Sequence, residues 1–369
     1  MTRGKVMACL AMSVAGAAWA EPFQLICTVT PPGNNANPAN WQPTKRYRFA
    51  DTFGAVSSLV DIPKTEVFDP AGVAFRASDD LFIGNRHGNV LGQGSLSRFH
   101  LSPDGTTATY VGNITAAGMV GVHEMAYNAE IDELLVSSVS NGIFRFRFNA
   151  QGEPVLLSQF MNGMQTRGVA VHPSGEFAYV TAASNRIRVF RLNPDGTVAE
   201  QTSVFPAGAS NLHFFQVSTD GRHLYVADIS SSRVFRFRMS TGGDLTLGQT
   251  TVAAGAVDVA FSPDGREMFV GNHLGGGINR FTLDLVNDVW NPTGFVSTPS
   301  MGGFGVYNAP PCIADFNNDG FVDFFDFDAY VLCFEGEECP LGRDPDFNGD
   351  GFADFLDFDE FIRQFERGC

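Results

Sequence analysis

Phe261-Ser262-Pro263-Asp264-Gly265-Arg266-Glu267-Met268-Phe269-Val270 reads as the end of one apolar strand, a Pro-Asp-Gly reversal and the start of a second strand. The glycine supplies the positive φ of a tight turn, and the flanking runs are too short and too rich in Phe and Val for helices. The arrangement recurs upstream. Thr219-Asp220-Gly221 precedes Leu224-Tyr225-Val226, and Pro173-Ser174-Gly175 precedes Ala178-Tyr179-Val180; two earlier units keep the strand alone, as Leu134-Leu135-Val136 and Leu81-Phe82-Ile83. Downstream in every unit a phenylalanine is followed two positions later by another apolar residue: Phe99/Leu101, Phe146/Phe148, Phe190/Leu192, Phe237/Met239 and Phe281/Leu283. These marks are 47, 44, 47 and 44 residues apart.

A strand-based repeat of about 45 residues is the length of one four-stranded propeller blade. The strand pattern and the 40 glycines exclude a helical solenoid of similar period. The chain is therefore expected to fold as an all-β propeller of six blades, or seven if residues 25–65 hold further strands. Gly305-Val306-Tyr307 is the expected inner strand of the sixth blade, completed by the region from Tyr47 to Val60. The Pro- and Asn-rich segment from Thr30 to Pro43 reads as an exposed arm. In Phe144-Arg145-Phe146-Arg147-Phe148 and Phe235-Arg236-Phe237-Arg238 the period of two places Phe on one face and Arg on the other, the pattern of a half-buried strand. That alternation explains the arginines without nucleic acid.

Phrases such as Phe261 to Val270 and Tyr225-Val226-Ala227-Asp228 make most of residues 65–300 resemble the lactonase-type propellers, close to the 6-phosphogluconolactonase-like and YVTN-type repeat proteins. The resemblance implies a histidine at the start of an inner strand, typically after an arginine, facing the central channel. Asn211-Leu212-His213-Phe214 and Gly121-Val122-His123-Glu124 occupy that place, with Leu212 where the arginine is expected. His213 and His123 are thus the catalytic candidates, with Glu124, Arg167 and Asp258 as possible neighbours in one channel. A histidine on a strand also serves as a purely structural hydrogen-bonding residue. His172 and His223 lie beside turns and are expected to be solvated. No G-x-S-x-G, H-E-x-x-H or Walker pattern is present.

The end of the chain has a different composition. Residues 312–369 hold 16 acidic and 3 basic residues, a net of −13 within a total of −16. Two loops repeat 31 residues apart. In the first, Asp315, Asn317, Asp319, Asp323 and Asp326 stand at positions 1, 3, 5, 9 and 12, with Gly320 at position 6; in the second, Asp346, Asn348, Asp350, Asp354 and Asp357 do so, with Gly351. Five oxygen-bearing side chains turned on a glycine, with the carbonyls of Phe321 and Phe352 at position 7, form a donor set for a hard cation, so two Ca2+ ions are expected. The alternative is a pair of Asp-Gly turns in an acidic tail. Each loop leads into an apolar-periodic helix, with Phe324, Phe327, Val331 and Phe334 in the first and Phe355, Phe358, Ile362 and Phe365 in the second; helix breakers precede each loop. A loop closing on Asp with only an exit helix resembles the type I dockerin module, and the terminal Gly368-Cys369 resembles a Gly-Cys-ending variant of it. That resemblance implies an extracellular protein partner, cohesin-like or other, although positions 10 and 11 are Phe324-Phe325 and Phe355-Leu356 rather than small hydroxyl or charged residues.

Residues 1–20 carry Arg3 and Lys5, an apolar run from Val6 to Ala18 and Ala18-Trp19-Ala20 before Glu21, the organisation of a signal peptide. The run is too short to span a bilayer, and no later segment is long enough. Export permits disulfides. Of the cysteines beyond the signal peptide, Cys312, Cys333, Cys339 and Cys369 fall in the tail; three pairings are open, with Cys312–Cys369 and Cys333–Cys339 preferred, and Cys27 is left buried or free. Cysteine and histidine spacing gives no zinc site, and the acidity argues against nucleic acid. The domain plan is 1–20 signal peptide, 21–64 arm and propeller-closing strands, 65–311 propeller and 312–369 calcium module. The functional expectation is an exported binding or scaffold propeller held by a calcium-dependent dockerin-like tail. Its alternative is a lactonase-type or polysaccharide-related hydrolase carried by the same tail.

Overall fold

The computed structural model describes residues 23–29, 37–50, 54–77, 79–87, 93–103, 105–182, 185–308, 314, 316–317, 324–337, 339–340, 343–347 and 352–367. Six four-stranded antiparallel sheets form a propeller. Blade 1 is β24 (Met301–Asn308), β1 (Phe23–Val29), β2 (Lys45–Phe49) and β3 (Val56–Ser58). Blade 2 is β4 (Pro70–Ala77), β5 (Asp80–Asn85), β6 (Ser95–Leu101) and β7 (Ala108–Ile114). Blade 3 is β8 (Val122–Asn128), β9 (Glu133–Ser138), β10 (Gly142–Phe148) and β11 (Pro154–Phe160). Blade 4 is β12 (Thr166–Val171), β13 (Phe177–Ala182), β14 (Arg186–Leu192) and β15 (Val198–Val204). Blade 5 is β16 (Leu212–Val217), β17 (His223–Asp228), β18 (Arg233–Met239) and β19 (Leu245–Val252). Blade 6 is β20 (Ala256–Phe261), β21 (Glu267–Asn272), β22 (Ile278–Asp284) and β23 (Val289–Val296).

The blade count is six, and residues 25–65 complete blade 1 rather than making a seventh. The ring closes where the C-terminal strand β24 pairs with the N-terminal β1, register Leu25↔Val306. Thr28 ties the closure: its Oγ1 accepts from the Gly303 amide at 2.6 Å and donates to the Ala71 carbonyl of blade 2 at 2.5 Å. Cys27 in β1 is a buried free thiol.

On the arginine-bearing strands the central arginines, Arg145 and Arg236, are buried, while Arg147 and Arg238 at the strand ends keep their exposure. Arg145 and Glu133 are fully inaccessible and paired at 2.6 Å, and the guanidinium also donates to the carbonyls of Asn193 and Thr197 in blade 4. Arg98 does the same with Asp80 at 2.7 Å and reaches Glu153 of blade 3. Arg280 pairs with Glu267 and reaches the Gly54 carbonyl of blade 1. The expected half-buried strand is thus corrected: a third strand of a propeller is covered by the next blade, and each arginine crosses that joint. Arg76 and Asp132 make a comparable link between blades 2 and 3, at 2.9 Å.

Three other expectations change. His172 is buried, its Nδ1 accepting from the Ser174 amide at 3.0 Å. His223 is partly buried against Arg236. In the expected exposed arm, Pro38–Asn40 forms a short 3-10 turn, but Trp41 is buried with its ring stacked on His87; Thr30 to Ala36 lie outside the described residues.

In the tail, α1 (Phe324–Phe334) and α2 (Phe355–Arg367) share one small core. Its centre is Tyr330 stacked on Phe361, ring centroids 4.0 Å apart, with Phe327, Phe334, Phe358, Ile362 and Phe365 around it. Phe324 and Phe355, expected on the packing face, are instead exposed, and Val331 lies outside the cluster. The Cys333–Cys339 disulfide is present; Cys312 and Cys369 lie outside the described residues. Among the described residues no helix is long and apolar enough to cross a membrane.

Candidate functional site at the channel mouth

Each inner strand slips register against its neighbour near its start, between Pro70/Val73, Val122/Met125, Thr166/Val169, Leu212/Phe215 and Ala256/Val259, and between the partners of Cys27/Val29 in β24. The two residues inside each slip are Ala71-Gly72, His123-Glu124, Arg167-Gly168, His213-Phe214, Val257-Asp258 and Gly302-Gly303. A bulge re-aims side chains, and six of them around one axis line the mouth of the channel. The first bulge position is cationic or imidazole in blades 3, 4 and 5 and small or apolar in the other three.

Two of the glycines are required by close approach. A Cβ on Gly72 would lie 2.3 Å from the carbonyl oxygen of His123, and one on Gly168 would lie 2.3 Å from that of His213. Both histidines are thereby held by the preceding blade. Gly168→Ala is expected to lower stability by about 1–3 kcal/mol, the range for overpacking a tight contact, measured by urea unfolding.

The geometry brings His123 and His213 together, ring centroids 5.8 Å apart, with Phe214 against both. Burial is the first cause that lowers both imidazoles well below the ordinary histidine range, and Arg86, Arg167 and His273 push in the same direction. Both rings are therefore neutral at neutral pH. Neither Nδ1 has a hydrogen-bond partner among the described residues. The Arg167 side chain, half-buried beside them, likewise makes no ion pair or hydrogen bond among the described residues.

Glu124 and Asp258 sit at the second bulge position and are stapled to backbone. The Glu124 carboxylate accepts from the Val169 amide at 2.6 Å and the Phe215 amide at 2.8 Å, joining blades 3, 4 and 5. Asp258 accepts from Val259 and Phe304, both at 2.7 Å, joining blades 6 and 1. Burial raises both carboxyls, and the charge of Asp258 raises Glu124 further, against the amide hydrogen bonds that favour the ionised forms. Their role is to satisfy inner-strand amides freed by the bulges.

Arg86 and His273 were missed in the sequence. Each follows a Gly-Asn pair at the end of a second strand, Gly84-Asn85-Arg86 and Gly271-Asn272-His273, a repeated phrase that carries the signal. Arg86 pairs with buried Asp69 at 3.2 Å, and His273 Nδ1 lies 3.1 Å from the Met301 carbonyl. The far end of the channel holds a cavity of about 610 Å3 walled by Phe75, Val171, Phe261 and Val306, with Tyr127, Gln216 and Thr219 as its polar side chains.

In the tail, Asp326 and Asp357 are buried. Asp326 accepts from the Asn317 amide at 3.0 Å. Asp357 accepts from the Asp354 amide at 2.8 Å while Asp354 accepts from the Leu356 amide at 2.8 Å, a reciprocal cap on α2. Asp346 and Phe352 are described; Asp315, Asp319, Gly320, Phe321, Asp323, Asn348, Asp350 and Gly351 lie outside the described residues.

A family model described as "Lactonase, 7-bladed beta-propeller" matches residues 121–288. An uncharacterized protein of Staphylococcus epidermidis is 22% identical over 149 residues, which are 36% of this chain and 44% of that protein. The chain thus spans less than half the length of the curated relatives it matches. The periplasmic gluconolactonase of Pseudomonas aeruginosa aligns with a TM-score of 0.60 at 15% identity, covering 79% of this chain and 100% of that one. A Bacteroides fragilis protein provisionally assigned as a 6-phosphogluconolactonase aligns with a TM-score of 0.56 at 18% identity, covering 75% and 82%. The chain carries a lactonase-like β-propeller, with six blades where the matching family is described with seven.

Proposed function

We propose that the channel mouth opens a small sugar lactone. The observation that carries this reading is the pairing of two neutral, half-buried imidazoles, their Nδ1 atoms unpartnered, beside an arginine with no counter-charge among the described residues. One imidazole takes a proton from water, whose oxygen adds to the lactone carbonyl. Arg167 faces the negative charge that grows on the carbonyl oxygen and persists in the product carboxylate. The ring C–O bond then breaks, and its oxygen receives the proton held by the imidazole. Glu124 and Asp258 hold the strands that present these groups and take no part in the transfer.

The lactonase match and the gluconolactonase likeness support this chemistry over a purely scaffolding propeller. A binding role without turnover is favoured by one residue, Leu212 in the place where the lactonase pattern carries arginine. Initial rates of glucono-δ-lactone opening in a pH-stat separate the two. Turnover above the spontaneous rate that falls in Arg167→Ala supports hydrolysis; binding of gluconate with no turnover supports the second reading.

The proposal extends to the ends of the chain. Residues 1–20 direct export, and the duplicated loops hold two calcium ions that stiffen the tail for docking to an extracellular protein. The all-oxygen donor sets Asp315, Asn317, Asp319, Asp323, Asp326 and Asp346, Asn348, Asp350, Asp354, Asp357 suit that ion, and buried Asp326 and Asp357 stand where each set closes. Calorimetric titration of the whole protein is expected to find two sites, with Asp357→Ala removing one. At a calcium concentration about 100 times Kd, a site adds about 2.7 kcal/mol to the tail's stability, which chelator removes. A tail equally stable in chelator contradicts this.

A further inference from the structure

The joint between blades 5 and 6 departs from the pattern of blades 2, 3 and 6. At one register position on the second strand, blades 2, 3 and 6 place a buried carboxylate (Asp80, Glu133, Glu267) that neutralises the arginine on the third strand (Arg98, Arg145, Arg280). Blade 1 places Gln24 there, opposite Arg46. Blade 4 drops the pair for Phe177 and Val189. Blade 5 keeps the arginine, Arg236, but puts His223 in the carboxylate's place, and Arg236 Nη2 lies 3.1 Å from His223 Nε2. The other end of the guanidinium reaches Asp288 of blade 6 at 2.9 Å, an exposed residue.

A cavity of about 500 Å3 opens at this joint, within the usual range for small-molecule sites. It lies at the far end of β16 from His213, beyond the turn that leads into β17. Phe261 and Trp290 wall it, with Trp290 Nε1 donating to the Tyr225 hydroxyl. Its charges are unequally committed. Asp220 accepts from Ser218 Oγ and the Arg222 amide, Asp264 from Ser262 Oγ and the Arg266 amide, and Asp288 holds Arg236. The guanidinium groups of Arg222 and Arg266, which line the same cavity, make no hydrogen bond or close ion pair among the described residues, although Arg222 lies near enough to Asp220 to favour its ionised form.

We infer that this cleft binds a sugar acid, whose carboxylate reaches Arg236 alongside His223, the residue that stands where blades 2, 3 and 6 carry a protein carboxylate. Arg222 and Arg266 close on the same group from the two neighbouring turns, and the aromatic wall receives the apolar face of the sugar ring. The site stands independently of the lactone reading, because it uses none of the residues at the channel mouth.

The test is calorimetric titration of the full-length protein with D-glucuronate, with D-glucose as the neutral control. His223→Glu restores the carboxylate of the other blades; it is expected to keep or raise the thermal midpoint and to weaken glucuronate at least tenfold. Arg222→Ala and Arg266→Ala, both exposed and outside the core, are each expected to weaken it severalfold, while His213→Ala leaves it unchanged. No saturable binding of glucuronate overturns the inference. So does binding that His223→Glu leaves intact in a folded protein, or binding lost in His213→Ala but kept in Arg222→Ala, which places the ligand at the mouth.

Discussion

Replacing His213 by alanine is expected to lower kcat/KM for lactone opening by about 10²–10⁴-fold, the usual contribution of a positioned general base. His123→Ala is expected to fall in the same range if the two rings act as a pair, and the double variant to lose little more than the worse single one. The pH dependence carries a sign. A base must be unprotonated, and burial with the surrounding cations holds both imidazoles below their ordinary range. Activity should therefore persist as the pH falls below about 6.5, the range in which an exposed histidine becomes mostly charged. Stability shows the same linkage from the other side. Below about pH 6.5 the unfolded chain binds protons that His123 and His213 in the folded protein do not, so their contribution is complete above that pH and declines beneath it. Glu124 and Asp258, raised by burial, contribute the opposite slope. The informative measurement is thus urea unfolding at several pH values for wild type against His123→Gln/His213→Gln, in which the acid-side decline is reduced.

Glu133→Ala is expected to be the most damaging single change in the propeller, costing about 3–5 kcal/mol. It strands the fully buried Arg145 guanidinium and also removes the partner of Arg147, 2.6 Å away. Blade 4 shows how the same positions work without charge, with Phe177 and Val189 diagonal to each other as Glu133 and Arg145 are in blade 3. Glu133→Phe combined with Arg145→Val is therefore expected to be much less destabilising than Glu133→Ala. Denaturant midpoints for the two proteins read this directly; equal losses would mean that the ion pair matters for its bonds to blade 4 rather than for charge balance.

The repeat was legible because Phe marks and Asp-Gly turns report strand spacing directly. β1 was not, since all seven of its residues are buried and it lacks the alternation that marks a strand with one wet face. The arginine alternation was read with the right period and the wrong surroundings: sequence shows which residues share a face, not that a neighbouring blade covers it. His123, His213 and Arg167 could be nominated because each begins an inner strand, whereas their grouping depends on bulges at the same height in blades 3, 4 and 5. His223 looked like a turn residue because its partner, Arg236, lies on another strand. In the tail the helical period was clear: Phe327, Phe334, Phe358, Ile362 and Phe365 pack as expected, while Phe324 and Phe355 at the helix starts are exposed and Tyr330 and Phe361 complete the core.

The most direct test of the channel-mouth assignment is a crystal structure of the protein soaked with D-gluconate, the product of glucono-δ-lactone opening. The expected result is gluconate at the mouth, its carboxylate on Arg167 and an oxygen within hydrogen-bond distance of His123 or His213. A mouth without gluconate, while the ligand occupies another part of the propeller at full occupancy, would contradict it.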